Sequence, residues 1–151
     1  SWEGGYRVPA IARWPGKIPA GVTHALVDGM DLFNTSLHLA GAEMPKDRPM
    51  DGVDLTPILF GKKKAVRDIQ FCYYADILCG IRQGNYKAHF VTHDGYSKEE
   101  PQKHDPPLLF NVAEDPSEKF DVAAEHPEVV AEITKIYQEH LATVTRGKSQ
   151  Y

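Results

Sequence analysis

At 151 residues and 16.9 kDa, 42% hydrophobic and 25% charged, the chain has the makings of one globular domain, or of a domain and a piece of another; disorder, collagen and coiled coil are excluded. Seventeen basic against 21 acidic residues leave a net charge of −4 and a pI near 5.9, which argues against nucleic acid as a partner. No apolar run approaches the roughly 18 residues of a membrane span, so no membrane partner is expected, and the opening Ser1-Trp2-Glu3-Gly4-Gly5 reads as though a longer chain preceded it.

Taken in order, residues 8–14 are apolar enough for a buried strand of a large sheet, with Pro9 placing it at an edge or a strand start, before Pro15-Gly16 ends it. A short helix is expected from Asp31 to Gly41. Asp31 caps its free amides, Phe33, Leu37 and Ala40 recur at four and three to give an apolar face, and Gly41 suits a left-handed stop. Asp54 to Gly61 repeats that grammar, with Asp54 as cap and Pro57 in the first turn. The basic run Lys62-Lys63-Lys64 is a solvated loop and marks a seam. Net charge is +1 over residues 1–66 and −5 over 67–151.

Beyond the seam the period changes. Ile69 to Tyr74, Leu78 to Gln83 and Tyr86 to Thr92 are rich in aromatic and branched residues, and Gly84-Asn85 is a two-residue hairpin turn that needs positive φ. Leu108 to Val112 adds a fourth strand. The polar stretch from Thr92 to Pro107, with Gly95, Pro101, Pro106 and Pro107, is expected to be a long loop of the length that often carries function. From Pro127 to Thr145 an apolar stripe of Val129, Val130, Ile133, Ile136, Tyr137, Leu141 and Val144 predicts an amphipathic helix, with Gly147 past its end. The expected fold class is therefore an α/β fragment followed by an α+β unit, a C-terminal four-stranded antiparallel sheet packed by a long C-terminal helix.

No complete active site is legible. No serine lies in a Gly-x-Ser-x-Gly elbow, Glu3-Gly4-Gly5-Tyr6 lacks the Lys-Ser/Thr of a phosphate loop, and the seven histidines lack metal-binding spacing. Cys72 and Cys79 match no CxxC signature and read as two free structural thiols rather than a disulfide.

Several stretches together resemble one family. Glu3-Gly4-Gly5-Tyr6-Arg7-Val8-Pro9 followed by Trp14-Pro15-Gly16-Lys17-Ile18 is similar to the EGGxRxP…WPGxI signature of the sulfatases of the alkaline phosphatase superfamily. The register continues through Gly21-Val22-Thr23-His24, Met30 to Leu37, Met50 to Pro57, Tyr86-Lys87-Ala88-His89-Phe90, Pro106 to Val112 and Asp115-Pro116-Ser117-Glu118. The arylsulfatase A and N-acetylgalactosamine-6-sulfatase branches of the family are the most similar.

The resemblance implies a C-terminal part of an enzyme hydrolysing the sulfate ester of a sugar or an aryl group. Residues 1–66 would be the remnant of its large α/β domain and 67–151 its C-terminal subdomain, with the missing N-terminal sulfatase domain as partner. In the family a formylglycine hydrate attacks sulfur while Ca²⁺ and cationic side chains absorb the developing oxygen charge. Cys72, followed by Tyr-Tyr-Ala-Asp, and Cys79, followed by Gly-Ile-Arg-Gln, are not that nucleophile, and the metal-binding aspartates are absent. Neither Ca²⁺ nor formylglycine is thus expected in this stretch, which by itself would be inactive and would hold no catalytic residue. The exported, periplasmic or lysosomal setting of such enzymes is implied by the resemblance alone.

The resemblance places the 92–107 loop on the rim of a substrate pocket. His93 and His104 are the candidates for contact with a sulfated carbohydrate or aryl sulfate; a solvated loop histidine is the other reading of each. His24 and His89 are expected to bond within the fold, and Glu3 and Arg7 to form a structural pair. Two alternatives stand beside this reading: a non-catalytic sulfated-glycan binding module, and a phosphodiester or phosphonate hydrolase of the same superfamily.

Overall fold

The structure, a computed structural model, describes residues 1–93, 99–145 and 147. In chain order its elements are helices α1 (Glu3–Tyr6), α2 (Asp31–Ala40) and α3 (Thr56–Leu59), strands β1 (Ile69–Tyr74), β2 (Ile77–Gln83), β3 (Tyr86–Thr92) and β4 (Gln102–Asn111), and helix α4 (Pro127–Thr143). The chain divides into two compact units, one of Ser1–Val8 with Ile69–Tyr151, the other Pro9–Asp68. The first eight residues belong with the later unit, to which their polar atoms bond.

The later unit is the expected antiparallel sheet, in the order β1-β2-β3-β4. Strand side chains alternate between faces, so Cys79, Ile81, Ala88, Phe90 and Leu109 share one buried cluster with Ile133 of α4. Val129, Val130, Ile136 and Tyr137 pack against that cluster, and the Phe90 and Tyr137 rings stack 3.8 Å apart. Each such side chain taken from water contributes about 1.5–3 kcal/mol. The apolar stripe ends early: Leu141 and the capping Val144 remain 45% and 47% exposed, while His140 of the last turn stacks on Phe71 of β1 at 3.7 Å.

Both hairpin turns hold a residue at positive φ, Gly84 at 55° as expected and Ala75 at 50° between β1 and β2. The expected 92–107 loop is shorter than its composition suggested, for β4 begins at Gln102 rather than Leu108. Thr92 pairs with Gln102, Val91 with Lys103 and His89 with Leu108, so residues 104–107 bulge opposite residue 90. The prolines are tolerated there because β4 is an edge strand and the bulge asks no ladder bond of their missing N–H. Residues 94–98, including Gly95 of the expected loop, lie outside the described residues.

In the unit Pro9–Asp68, α2 corrects the sequence reading. Asp31, Asn34 and Thr35 are its buried residues, while Phe33 and Leu32 are exposed. Neighbouring chain bonds most of this polar face: Val53 N–H donates to Asp31 Oδ1 (2.8 Å), Leu55 N–H to Thr35 Oγ1 (2.9 Å), and Asn34 Nδ2 to the Gly52 carbonyl, while Asn34 Oδ1 has no partner among the described residues. Asp31 therefore does not cap its own helix. Its carboxylate accepts from Asp28 N–H at 2.7 Å and from Arg67. Gly41 does take the left-handed stop, at φ 66°. Asp54 sits one residue outside the N-cap of α3 and accepts from Thr56 N–H (2.9 Å) and Oγ1 (2.7 Å), with Pro57 in the first turn as expected.

Residues 8–14 form no strand, and Ile11 is 98% exposed. No described segment offers the ladder partners that a strand's N–H and C=O groups require.

Candidate functional site

The alternation that sends Ala88 and Phe90 toward α4 turns Lys87 and His89 to the opposite face of β3, where both are fully buried. A buried ammonium is costly unless it is paired and fully bonded. Lys87 Nζ donates to Glu3 Oε1 at 3.0 Å and lies 3.3 Å from Glu118 Oε1. Glu3 in turn faces Arg7, whose guanidinium reaches its Oε2 at 2.8 Å, and Arg82 of β2 at 3.5 Å. The Glu3 backbone N–H donates to Glu118 Oε2 at 2.6 Å, and Arg7 also donates to the Val112 carbonyl at 3.1 Å.

Tertiary bonds of this kind explain α1, which no sequence signal announced: Glu3 anchors a four-residue turn that closes with Arg7 N–H on the Glu3 carbonyl at 2.6 Å. The expected Glu3–Arg7 pair is thus present, within a larger lattice. Glu118 enters that lattice with φ 52°, a left-handed conformation held by the Asp115 turn. The Asp115 carboxylate accepts from Lys119 N–H (2.7 Å) and Phe120 N–H (2.9 Å).

Burial pushes the His89 imidazole below its ordinary value, and the hydrogen bond to Glu118 only partly offsets this. His89 is accordingly neutral near pH 7, with Nε2–H donating to Glu118 Oε1 at 2.7 Å and Nδ1 accepting from Ser1 Oγ–H at 3.4 Å. The Trp2 ring lies 4.4 Å from the imidazole. For Glu118, burial works upward, but the bonds from His89 and from Glu3 N–H, with the Lys87 charge, outweigh it and hold the carboxyl below its usual range. The arrangement fixes residues 1–7 onto the sheet; its buried groups are saturated by one another.

The two histidines read as substrate contacts lie elsewhere, where β3 ends and β4 begins. His93 stacks on Tyr74 with ring centroids 4.6 Å apart, and its Nε2–H donates to the Glu99 carbonyl at 3.1 Å. Nδ1 is then an acceptor with no partner among the described residues. His104 Nε2 bonds the Thr92 hydroxyl at 2.8 Å. His89 bonds within the fold as expected, whereas His24 is exposed and has no hydrogen bond among the described residues.

Cys72 and Cys79 are free and buried on opposite faces of the sheet, Cys79 in the α4 cluster and Cys72 on the lattice side. Burial pushes the Cys72 thiol up to about 11. Among the described residues no group of three or more His, Cys, Asp or Glu side chains can hold a metal ion, and no helix is long and apolar enough to cross a membrane.

Two family profiles match in order along the chain: sulfatase over residues 1–42, and C-terminal region of aryl-sulfatase over residues 65–151. The chain is 38% identical to N-acetylgalactosamine-6-sulfatase of Canis lupus familiaris, over 99% of its length and 33% of that protein, and 38% identical to arylsulfatase A of Bos taurus, over 99% and 34%. It thus spans about a third of the length of the curated relatives it matches. Among solved structures it is similar to the PsFucS1 sulfatase from Pseudoalteromonas sp., with a TM-score of 0.75 and 30% identity over 88% of this chain and 29% of that one.

Proposed function

Since the chain belongs to the sulfatase family, we propose that it is the C-terminal part of a longer enzyme that hydrolyses the sulfate ester of a sugar or an aryl group. The observation that carries this reading is the C-terminal aryl-sulfatase profile over residues 65–151 following the sulfatase profile over 1–42. In it, residues 1–66 close the large α/β domain, residues 1–8 doing so while bonded to the later unit, and 67–151 form the C-terminal subdomain, with the rest of the sulfatase domain as the chain's partner.

Calcium and formylglycine belong to the whole enzyme, where they supply charge neutralisation and the nucleophile. The residues described here do not fit either group: no metal cluster forms among them, and both thiols are buried, Cys72 with its ionisation pushed up to about 11. No catalytic step is assigned to this chain, which is inactive alone.

Its contribution to the reaction is recognition. His93, stacked on the half-exposed Tyr74 where β3 gives way to the polar stretch, contacts the sulfated substrate, and His104 on β4 bonds Thr92 next to it. A sulfated disaccharide titrated into the chain should shift the His93 imidazole and Tyr74 ring resonances, and His93→Ala should abolish the shift at Tyr74, while a chromogenic sulfate ester is left intact. Turnover of that ester by the chain, or a His93 signal that does not move, would overturn the reading.

A further inference from the structure

His89 lies under residues 1–3, and the groups that meet it are polar, aromatic, charged or backbone. From Ser1–Val8 come the Ser1 hydroxyl and the Trp2 ring; from β2, the Gly80 backbone; from β3, the Lys87 charge; from β4, Phe110; and from the 115–120 turn, Glu118, while Lys87 in turn meets Glu3, which Arg7 and Arg82 face. With His89 neutral, Glu118 Oε1 receives one ammonium at 3.3 Å and one uncharged imidazole N–H at 2.7 Å. A proton on Nδ1 would give that single oxygen two cations to balance, in a lattice where Lys87, Arg7 and Arg82 already outnumber Glu3 and Glu118. Among the described residues no further anion pairs with this lattice.

We infer that the lattice is a proton-operated clasp: protonation of His89 releases residues 1–8 from the sheet while the sheet and α4 stay folded. The geometry separates the two events. Residues 1–8 are held by Lys87 and Arg82 on the Glu3 carboxylate, Glu3 N–H on Glu118, Tyr6 Oη–H on the Tyr73 carbonyl (2.9 Å), Arg7 on Val112 and the Trp2 ring on His89. The sheet is held by its ladders and, on its other face, by α4. Once the segment lifts, water reaches the imidazolium, so proton binding and docking oppose each other. The affected window lies below the ordinary histidine value, where Glu118, held below its own ordinary value, remains ionised.

Native-state hydrogen exchange on the full chain, expressed as protection factors so that intrinsic exchange is removed, tests this between pH 7.5 and 5. Protection of the Glu3 and Arg7 amides should fall by up to about tenfold per pH unit below pH 6.5, the limit for one linked proton, while the amides of Ile81 and Ala88, on the two central strands, keep theirs. His89→Gln, which retains a side-chain donor for Glu118 without a titrating ring, should remove the pH dependence. Constant protection of Glu3, a parallel loss at Ile81 and Ala88, or an unchanged pH dependence in His89→Gln would each overturn the clasp. The comparison of segment and sheet amides stands in the unaltered chain even if that variant fails to fold.

Discussion

Lys87 Nζ and Glu3 Oε1 stand 3.0 Å apart across 84 residues of chain, the ammonium fully buried and the carboxylate nearly so. An ion pair of this kind need not stabilise relative to an apolar pair, but removing one member strands the other.

Lys87→Met is therefore expected to cost about 3–5 kcal/mol, because Glu3 and Glu118 lose their shared cation. The double variant Lys87→Met with Glu3→Gln should be less destabilised than the sum of the single changes. Urea unfolding of the four members of the cycle measures the coupling, and strict additivity would show that the pair is not coupled.

Stability should be greatest around neutral pH and fall on both sides. On the acid side His89 is depressed in the fold, so the unfolded chain binds more protons and stability declines as pH drops below about 6.5. Glu118 is also depressed; its contribution is present above the ordinary carboxyl value and is lost as pH falls through its folded value. On the alkaline side the unfolded Cys72 thiol ionises first while the folded one holds its proton to about 11, so stability falls with rising pH through that interval. That last loss reaches about 3 kcal/mol and should vanish in Cys72→Ser, as followed by denaturant midpoints across pH.

Gly80→Ala should destabilise by about 1–3 kcal/mol. A Cβ at this position would meet the Ala88 carbonyl oxygen at 2.7 Å and His89 Nδ1 at 3.5 Å, so β2 and β3 would have to part. Gly21→Ala, with nothing within 4 Å, serves as the control whose thermal midpoint stays put.

Ala75→Gly is expected to stabilise, by about 0.5–1 kcal/mol. The residue sits at φ 50° in the β1–β2 turn, where the relief of a left-handed side chain exceeds the entropy that a glycine adds to the unfolded chain. An unchanged or lower thermal midpoint would show that the turn carries no such strain.

What the residues announced and what they concealed divide along physical lines. The strands and α4 were legible because their apolar periods are local and the partners they bury against lie within the same stretch, as Ile133 and Tyr137 do against Phe90. Residues 8–14 read as a strand because apolar composition reports the wish for a partner, not its presence, and none is described. In α2 the apolar period misled: Asp31, Asn34 and Thr35 are buried through bonds to Gly52, Val53 and Leu55, contacts about twenty residues away that no helical pattern encodes.

The charge lattice left one trace in the sequence, Lys87 and His89 two apart on a strand whose alternate residues are Ala88 and Phe90. Two ionisable side chains on one face of a central strand demand acids from elsewhere. Nothing local identified those acids as Glu3 and Glu118, the one opening the chain and the other in a turn at positive φ. For His93 the adjacent polar stretch concealed the ring stacking with Tyr74, which depends on β1 and β3, on either side of β2, ending at the same edge of the sheet.

The sheet is thus covered by hydrocarbon on one side and by salt bridges on the other, and the two coverings respond oppositely to temperature. Hydrophobic attraction weakens on cooling, so cold loosens α4 from Ile81 and Phe90 first. The desolvation cost of ions falls on heating, so Lys87 and its carboxylates become a better fastening as the molecule warms. A single four-stranded sheet is in this way held from its two faces at the two ends of the thermal range.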